Sequence, residues 1–202
     1  QGVMAARSIA RDHDEKRGQI LLAAAKVFAT EGYDRSSMTR LAEECGISKA
    51  NIYHYYPSKE ALLYDILDSH LRALRDTVLG LDLAGLTAEQ QLREVVRAIM
   101  LAYEGYDYKH RIQMNEMALL PDDQQRELRG LQRDLVRFLS DILSHIAPDR
   151  FEGDAGKLRG ATMAVFGMLN WYFTWARGAG AAEREDYAAI VADMVLGGVK
   201  QV

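Results

Sequence analysis

Between Ser37 and Ser58 the chain has room for only two short helices and a corner, and the residues at each joint dictate that outcome. Ser36 and Ser37 offer a hydroxyl N-cap, and Met38, Leu41, Ala42 and Cys45 fall on one face of a helix about two turns long. Gly46 follows where a sharp turn needs a positive φ, Ile47 supplies a buried plug, and Ser48 caps the next helix. Ile52 and Tyr56 point that helix inward until Pro57 stops it, because the residue before a proline avoids α geometry. Ser58 then caps a longer helix that opens Lys59-Glu60-Ala61-Leu62-Leu63. Helix, tight glycine turn and helix is the arrangement with which DNA-binding proteins lay one helix in the major groove.

The flanking chain is helical as well. Upstream, Ile20, Leu21, Ala24, Val27 and Phe28 share a face, and Gly32 ends their helix. After a break at Gly80 to Gly85, Thr87 and Gln90 form a capping box for a helix carrying Leu92, Val95, Val96, Ile99, Met100 and Tyr103. A further stretch carries Ile112, Met114, Met117 and Leu120 up to Pro121, and Leu128, Leu131, Leu135, Phe138, Leu139, Ile142 and Ile146 mark a long amphipathic helix ended by Pro148. Residues from Ala155 to Trp175 are apolar nearly all round, and Tyr187, Ile190, Val191, Met194 and Val195 line one side of the segment from Arg184 to Val199. A helix apolar on every face must be covered on every face, so the last two helices are expected to form a homodimer interface.

With only three prolines and no alternating Val, Ile and Thr runs, the fold class is all-α: an N-terminal three-helix helix-turn-helix head and a larger C-terminal helical body, about nine helices. The expected division is a flexible arm over 1–13, the head over 14–60 and the body over 61–202.

Several function classes recede on composition. The longest uncharged run lies between Arg159 and Arg177, and Gly160, Thr162, Gly167, Asn170 and Thr174 interrupt it, so a buried helix is expected rather than a membrane span. Cys45 has no Cys partner, and no charged segment followed by an apolar stretch opens the chain; both point to a cytoplasmic protein. His13, His54, His70, His110 and His145 sit on separate elements without metal-ligand spacing, and no nucleophile motif occurs, so neither an enzyme nor a metal or cofactor site is expected. Gly178-Ala179-Gly180 lacks the context of a phosphate loop and reads as a hinge. The first 58 residues carry eight Lys and Arg against seven Asp and Glu in a chain whose net charge is −4, which leaves the head mildly basic on an acidic body.

The stretch from Gly46 to Leu63 resembles the tetracycline-repressor (TetR) family of bacterial regulators. Phe28, Gly32, Thr39, Ala42, Gly46, Ile47, Ser48, Tyr53, Tyr56, Lys59 and Leu62 match the family's pattern, over residues 16 to about 65. The resemblance implies that the second and third helices meet double-stranded operator DNA. Ser37 and Thr39 then stand where hydroxyls and a helix N-terminus favour a phosphate, and Lys59 is given the same role. Lys49, Ala50 and Asn51 open the recognition helix, with side chains suited to guanine, a thymine methyl and adenine; Tyr53 and His54 lie opposite Ile52.

Met100, Tyr103, Met114, Met117, Met163, Phe166, Met168 and Tyr172 fall on inner helices of the body, where methionines and aromatics suit an apolar ligand as well as a plain core. The resemblance implies a ligand cavity there and so selects an effector site of Met100, Tyr103, Met114, Met117, Met163, Phe166, Asn170 and Tyr172, with Asn115 and Arg111 as further polar groups. The stretch Phe166 to Trp171 resembles repressors that answer to acyl-thioesters. The resulting expectation is a repressor released from a palindromic operator by an apolar small molecule. An activator of the same fold and a dimeric helical carrier without DNA binding are the competing readings.

Overall fold

The computed structural model describes residues 2–200, with side chains from residue 12 onward. All regular structure among them is helical: α1 (Gly2–Glu31), α2 (Met38–Glu44), α3 (Lys49–Tyr55), α4 (Lys59–Leu79), α5 (Ala88–Ala102), α6 (Asp107–Glu116), α7 (Asp122–Ile146), the single-turn α8 (Pro148–Phe151), α9 (Ala155–Trp171) and α10 (Ala181–Gly198). Residues from Gly2 to His13, read from sequence as a flexible arm, continue α1; nothing between Val3 and Arg17 breaks a helix, and Ala5, Ala6 and Ala10 favour one.

The chain divides into two compact units. One comprises the chain up to His70 together with Tyr108–Arg126, and the other comprises Leu71–Asp107 and the chain from Glu127 onward. A boundary at residue 60 therefore falls inside α4, whose continuous apolar pattern carries no stop signal, and the first unit recruits α6 from far along the sequence.

In the first unit α1 buries Ile20, Leu21, Ala24, Val27 and Phe28, α2 buries Leu41 and Ala42, and α4 buries Leu62, Leu63, Ile66 and Leu67. Fully burying a side chain such as Leu contributes about 1.5–3 kcal/mol, so these faces decide which side of each helix turns inward. From α6, Ile112 is buried and Arg111 donates to the Ala29 carbonyl at 3.3 Å.

His70 of α4 and His110 of α6 are both buried, with ring centroids 6.3 Å apart. Burial first, and then the nearby His110 and Lys109, push His70 from its usual 6.5 down to about 3. Neutral His70 is thus favoured by folding, and the stability it contributes is complete above pH 6.5 and lost progressively as the pH falls toward 3. At about 1.4 kcal/mol per pH unit, the loss by pH 5 is about 2 kcal/mol. Urea unfolding of wild type and His70→Phe at pH 7 and pH 5 reads this directly, because the variant's loss should be smaller by that amount.

The second unit has one apolar core that joins Leu92, Val96, Ile99 and Met100 of α5 to Leu135 and Leu139 of α7, Val165 and Leu169 of α9, and Val191 and Val195 of α10. The capping box that opens α5 is present as read: Gln90 N–H donates to Thr87 Oγ1 at 3.2 Å, and Thr87 N–H donates to Gln90 Oε1 at 2.9 Å. Arg93–Asp193, Arg97–Glu185 and Lys200–Glu89 pair across α5 and α10 or their flanks, too exposed to add much stability. Outward faces of α9 and α10 leave Met163, Trp171, Ile190 and Met194 uncovered. No helix among the described residues is long and apolar enough to cross a membrane.

Candidate nucleic-acid interface

The corner between α2 and α3 is built by backbone chemistry. Ser37 accepts from Arg40 N–H at 3.1 Å to cap α2, and at its far end Cys45 N–H donates to Leu41 O and Ile47 N–H to Ala42 O. Closing the helix this way needs a left-handed residue, and Gly46 sits at φ +64. A methyl group there would meet nothing within 4 Å, so glycine is required by the backbone angle and not by space. Ser48 Oγ accepts from Asn51 N–H at 3.1 Å and starts α3 two residues after the corner.

Burial then sorts the two faces of α3. Ile52 is fully enclosed, whereas Lys49, Ala50, Asn51 and His54 are exposed and Tyr53 keeps 45% of its surface in solvent. The five recognition-helix residues singled out from sequence thus form one outward surface, and Lys49 makes no ion pair among the described residues. Thr39 is exposed beside the cap residue Ser37. Arg40, the other cation of the two helices, is held by Glu31 at 2.6 Å and Glu44 at 2.9 Å.

Lys59, expected from sequence to meet a phosphate, is engaged within the unit. Its ammonium donates to the carbonyls of Tyr33 at 2.7 Å and Ser36 at 3.0 Å and lies 4.3 Å from the Tyr33 ring centre. It clamps the α1–α2 turn from α4, adding a charged donor to the Tyr33 carbonyl, which also accepts from Ser36 N–H and Oγ, and to the Ser36 carbonyl.

A second anchor was not read from sequence. Tyr56, at the end of α3, donates its hydroxyl to Asp65 of α4 at 2.5 Å, and Arg17 of α1 donates to the same carboxylate and to the Tyr56 oxygen. Burial, aided by the bond to Asp65, pushes the Tyr56 phenol up to about 12, so it stays protonated and keeps donating. The only hint in the sequence is a carboxylate at position 65 between the apolar Leu62, Leu63 and Ile66.

The residues assigned to an effector site do not all meet. Met100, Tyr103, Phe166 and Tyr172 are buried in the core of the second unit, where the Tyr103 hydroxyl donates to Asn170 Oδ1 at 2.9 Å. Met163 points outward from α9, Met114 is 53% exposed, and Met114 and Met117 belong to the first unit. Ile112 and Met114, two apart, cannot share a helical face, and burial of Ile112 turns Met114 to solvent. Asn115 is likewise exposed, and Arg111 is occupied with Ala29.

Comparison with known proteins places this geometry among relatives. A family model described as bacterial regulatory proteins, tetR family, matches residues 20–66, and one described as tetracyclin repressor-like, C-terminal domain, matches residues 85–199. The chain is 35% identical over 85 residues to the transcriptional activator FasR of Mycolicibacterium smegmatis, covering 42% of this chain and 39% of FasR. It is 33% identical over 127 residues to the transcriptional regulator RutR of Escherichia coli, covering 57% of this chain and 56% of RutR, so it matches about half the length of such relatives or less. Among solved structures, a TetR-family transcriptional regulator from Bordetella parapertussis superposes with a TM-score of 0.81 at 30% identity, over 90% of this chain and 94% of that one. AibR, solved with isovaleryl coenzyme A and operator DNA, shares the fold at 23% identity with a TM-score of 0.75, over 89% of this chain and 97% of its own.

Proposed function

Because the chain belongs to the TetR family of bacterial transcription regulators, we propose that it is a repressor released from a palindromic operator when an apolar, acyl-thioester-like molecule binds its second unit. The observation that carries the DNA half is the split of α3 into a buried Ile52 and an outward surface of Lys49, Ala50, Asn51, Tyr53 and His54. Lys suits guanine acceptors, Asn the adenine edge and Ala a thymine methyl, while Ser37, Thr39 and Tyr53 supply hydroxyls for phosphates. Two such surfaces about 34–36 Å apart fit successive major grooves, and the outward apolar faces of α9 and α10 support a homodimer as the means of holding them there.

Support for the effector rests on Met100, Tyr103, Phe166 and Tyr172 with the polar Asn170, and on AibR, which carries isovaleryl coenzyme A on the same fold. FasR is an activator, so the sign of control follows from where the operator lies relative to the promoter.

Selection from a random duplex library tests the reading. The chain should enrich a palindrome, and Lys49→Ala should bind it roughly tenfold more weakly and lose preference at the base pair that Lys49 reads. Absence of any enriched sequence removes the regulator reading. Isovaleryl coenzyme A should raise the melting temperature if an acyl-thioester is the effector class.

A further inference from the structure

The recognition surface stands on a helix of only seven residues, and its last turn holds two of the exposed side chains, Tyr53 and His54. Such a helix has little stability of its own and must be held by its neighbours. Ile52 and Tyr56 anchor its inner face. Tyr55 lies on a different side, and there the structure supplies a second support. The His13 ring of α1 stacks on Tyr55 with centroids 4.9 Å apart and planes 30° from parallel, and the His54 ring forms a T-shaped pair with Tyr55 at 5.6 Å and 85°. Both are preferred aromatic arrangements, an offset stack and a T-shaped pair.

His13 is itself exposed and lies two turns before Ile20, the first buried residue of α1 among those whose side chains are described, so it stands outside that buried face. Its ring contact among the described residues is the stack on Tyr55. From this geometry we infer that His13 is a positioning residue for DNA reading: through Tyr55 it fixes the last turn of α3 and the direction in which His54 points. The inference rests on α3 being the helix that reads bases.

A side chain held in its bound orientation before DNA arrives costs less to order on binding. Loss of the His13 ring should therefore weaken binding roughly five- to tenfold, the size expected for one aromatic pair and the ordering it provides. His13→Ala and His13→Phe in the full chain, with the duplex enriched by wild type as probe, make the test. His13→Ala should bind five- to tenfold more weakly with an unchanged salt slope, and His13→Phe, which restores a ring, should recover the affinity. Hydrogen exchange without DNA gives an independent reading: amides of Tyr53 to Tyr56 should exchange faster in His13→Ala and return to the wild-type rate in His13→Phe. Unchanged exchange overturns the inference whatever the DNA result. A salt slope reduced by about one, with no rescue by Phe, overturns it in favour of a direct phosphate contact. Failure of wild type to enrich any duplex would remove the regulator reading, while exchange would still decide the role of the stack.

Discussion

Asp107→Ala should lower the stability of the second unit by about 3 kcal/mol, and Arg184→Met should lower it by distinctly less. Arg184 is only 1% exposed, and its guanidinium donates to Ala179 O at 3.0 Å and Asp107 Oδ1 at 2.8 Å while lying 5.6 Å from the centre of the Tyr172 ring. Removing the carboxylate leaves a cation enclosed in protein without its counter-charge, for which losses of about 3–5 kcal/mol are typical. The lower end applies because the Asp107 side chain is 34% exposed, so water can reach the site. Removing the guanidinium instead leaves a carboxylate that the solvent hydrates, and methionine fills much of the vacated volume. For a chain of this length Asp107→Ala corresponds to a melting temperature lower by roughly 6–12 °C. Equal losses in the two variants, measured by calorimetry, would defeat this account of the pair.

Ile190→Asp combined with Met194→Asp should convert a dimer into monomers and weaken operator binding by about a hundredfold or more. Met194 is 62% exposed, Ile190 lies one turn before it, and Trp171 on α9 is 66% exposed. Between α9 and α10 runs an apolar groove of about 190 Å³ lined by Leu143, Ala161, Ala164, Val165, Met168 and Met194 among others. So much apolar surface on two adjacent helices is costly to leave in water and suits a second copy. Because both substituted side chains point outward, each protomer should keep its fold, while its melting temperature loses the dependence on protein concentration that a dimer confers. Linking two heads makes the second DNA contact intramolecular, and avidity factors of about 10²–10⁴ depend on that link. Sedimentation equilibrium reads the assembly, and a double variant that stays dimeric would sink the proposed interface.

How far the sequence carried these conclusions depended on the range of the interaction. Ser37, Gly46, Ser48 and the Thr87–Gln90 box act within four residues of chain, and each appears in the structure where local rules put it. Inward faces of α1, α3, α5 and α7 follow from one repeated spacing and were equally readable. Pairings such as Arg17 with Asp65, or Lys59 with the Tyr33 carbonyl, join residues 48 and 26 positions apart, and nothing local selects one partner among many. His13 stacks on Tyr55 for reasons of the same kind. Met114 and Met163 show the opposite failure: an apolar residue type suggested an interior that helical phase denied them. The end of the first unit escaped notice because α4 contains no punctuation at residue 70.

The first unit is stitched from two separate lengths of chain, up to His70 and again from Tyr108 to Arg126. A ribosome releases α1 to α4 well before α6, so the first unit lacks part of its chain until Arg126 has been made, an interval of roughly 3–11 s after His70 at ordinary elongation rates. The DNA-reading unit is therefore completed only after much of the second unit's first helices has emerged, and cutting the gene after α4 delivers an unfinished fragment.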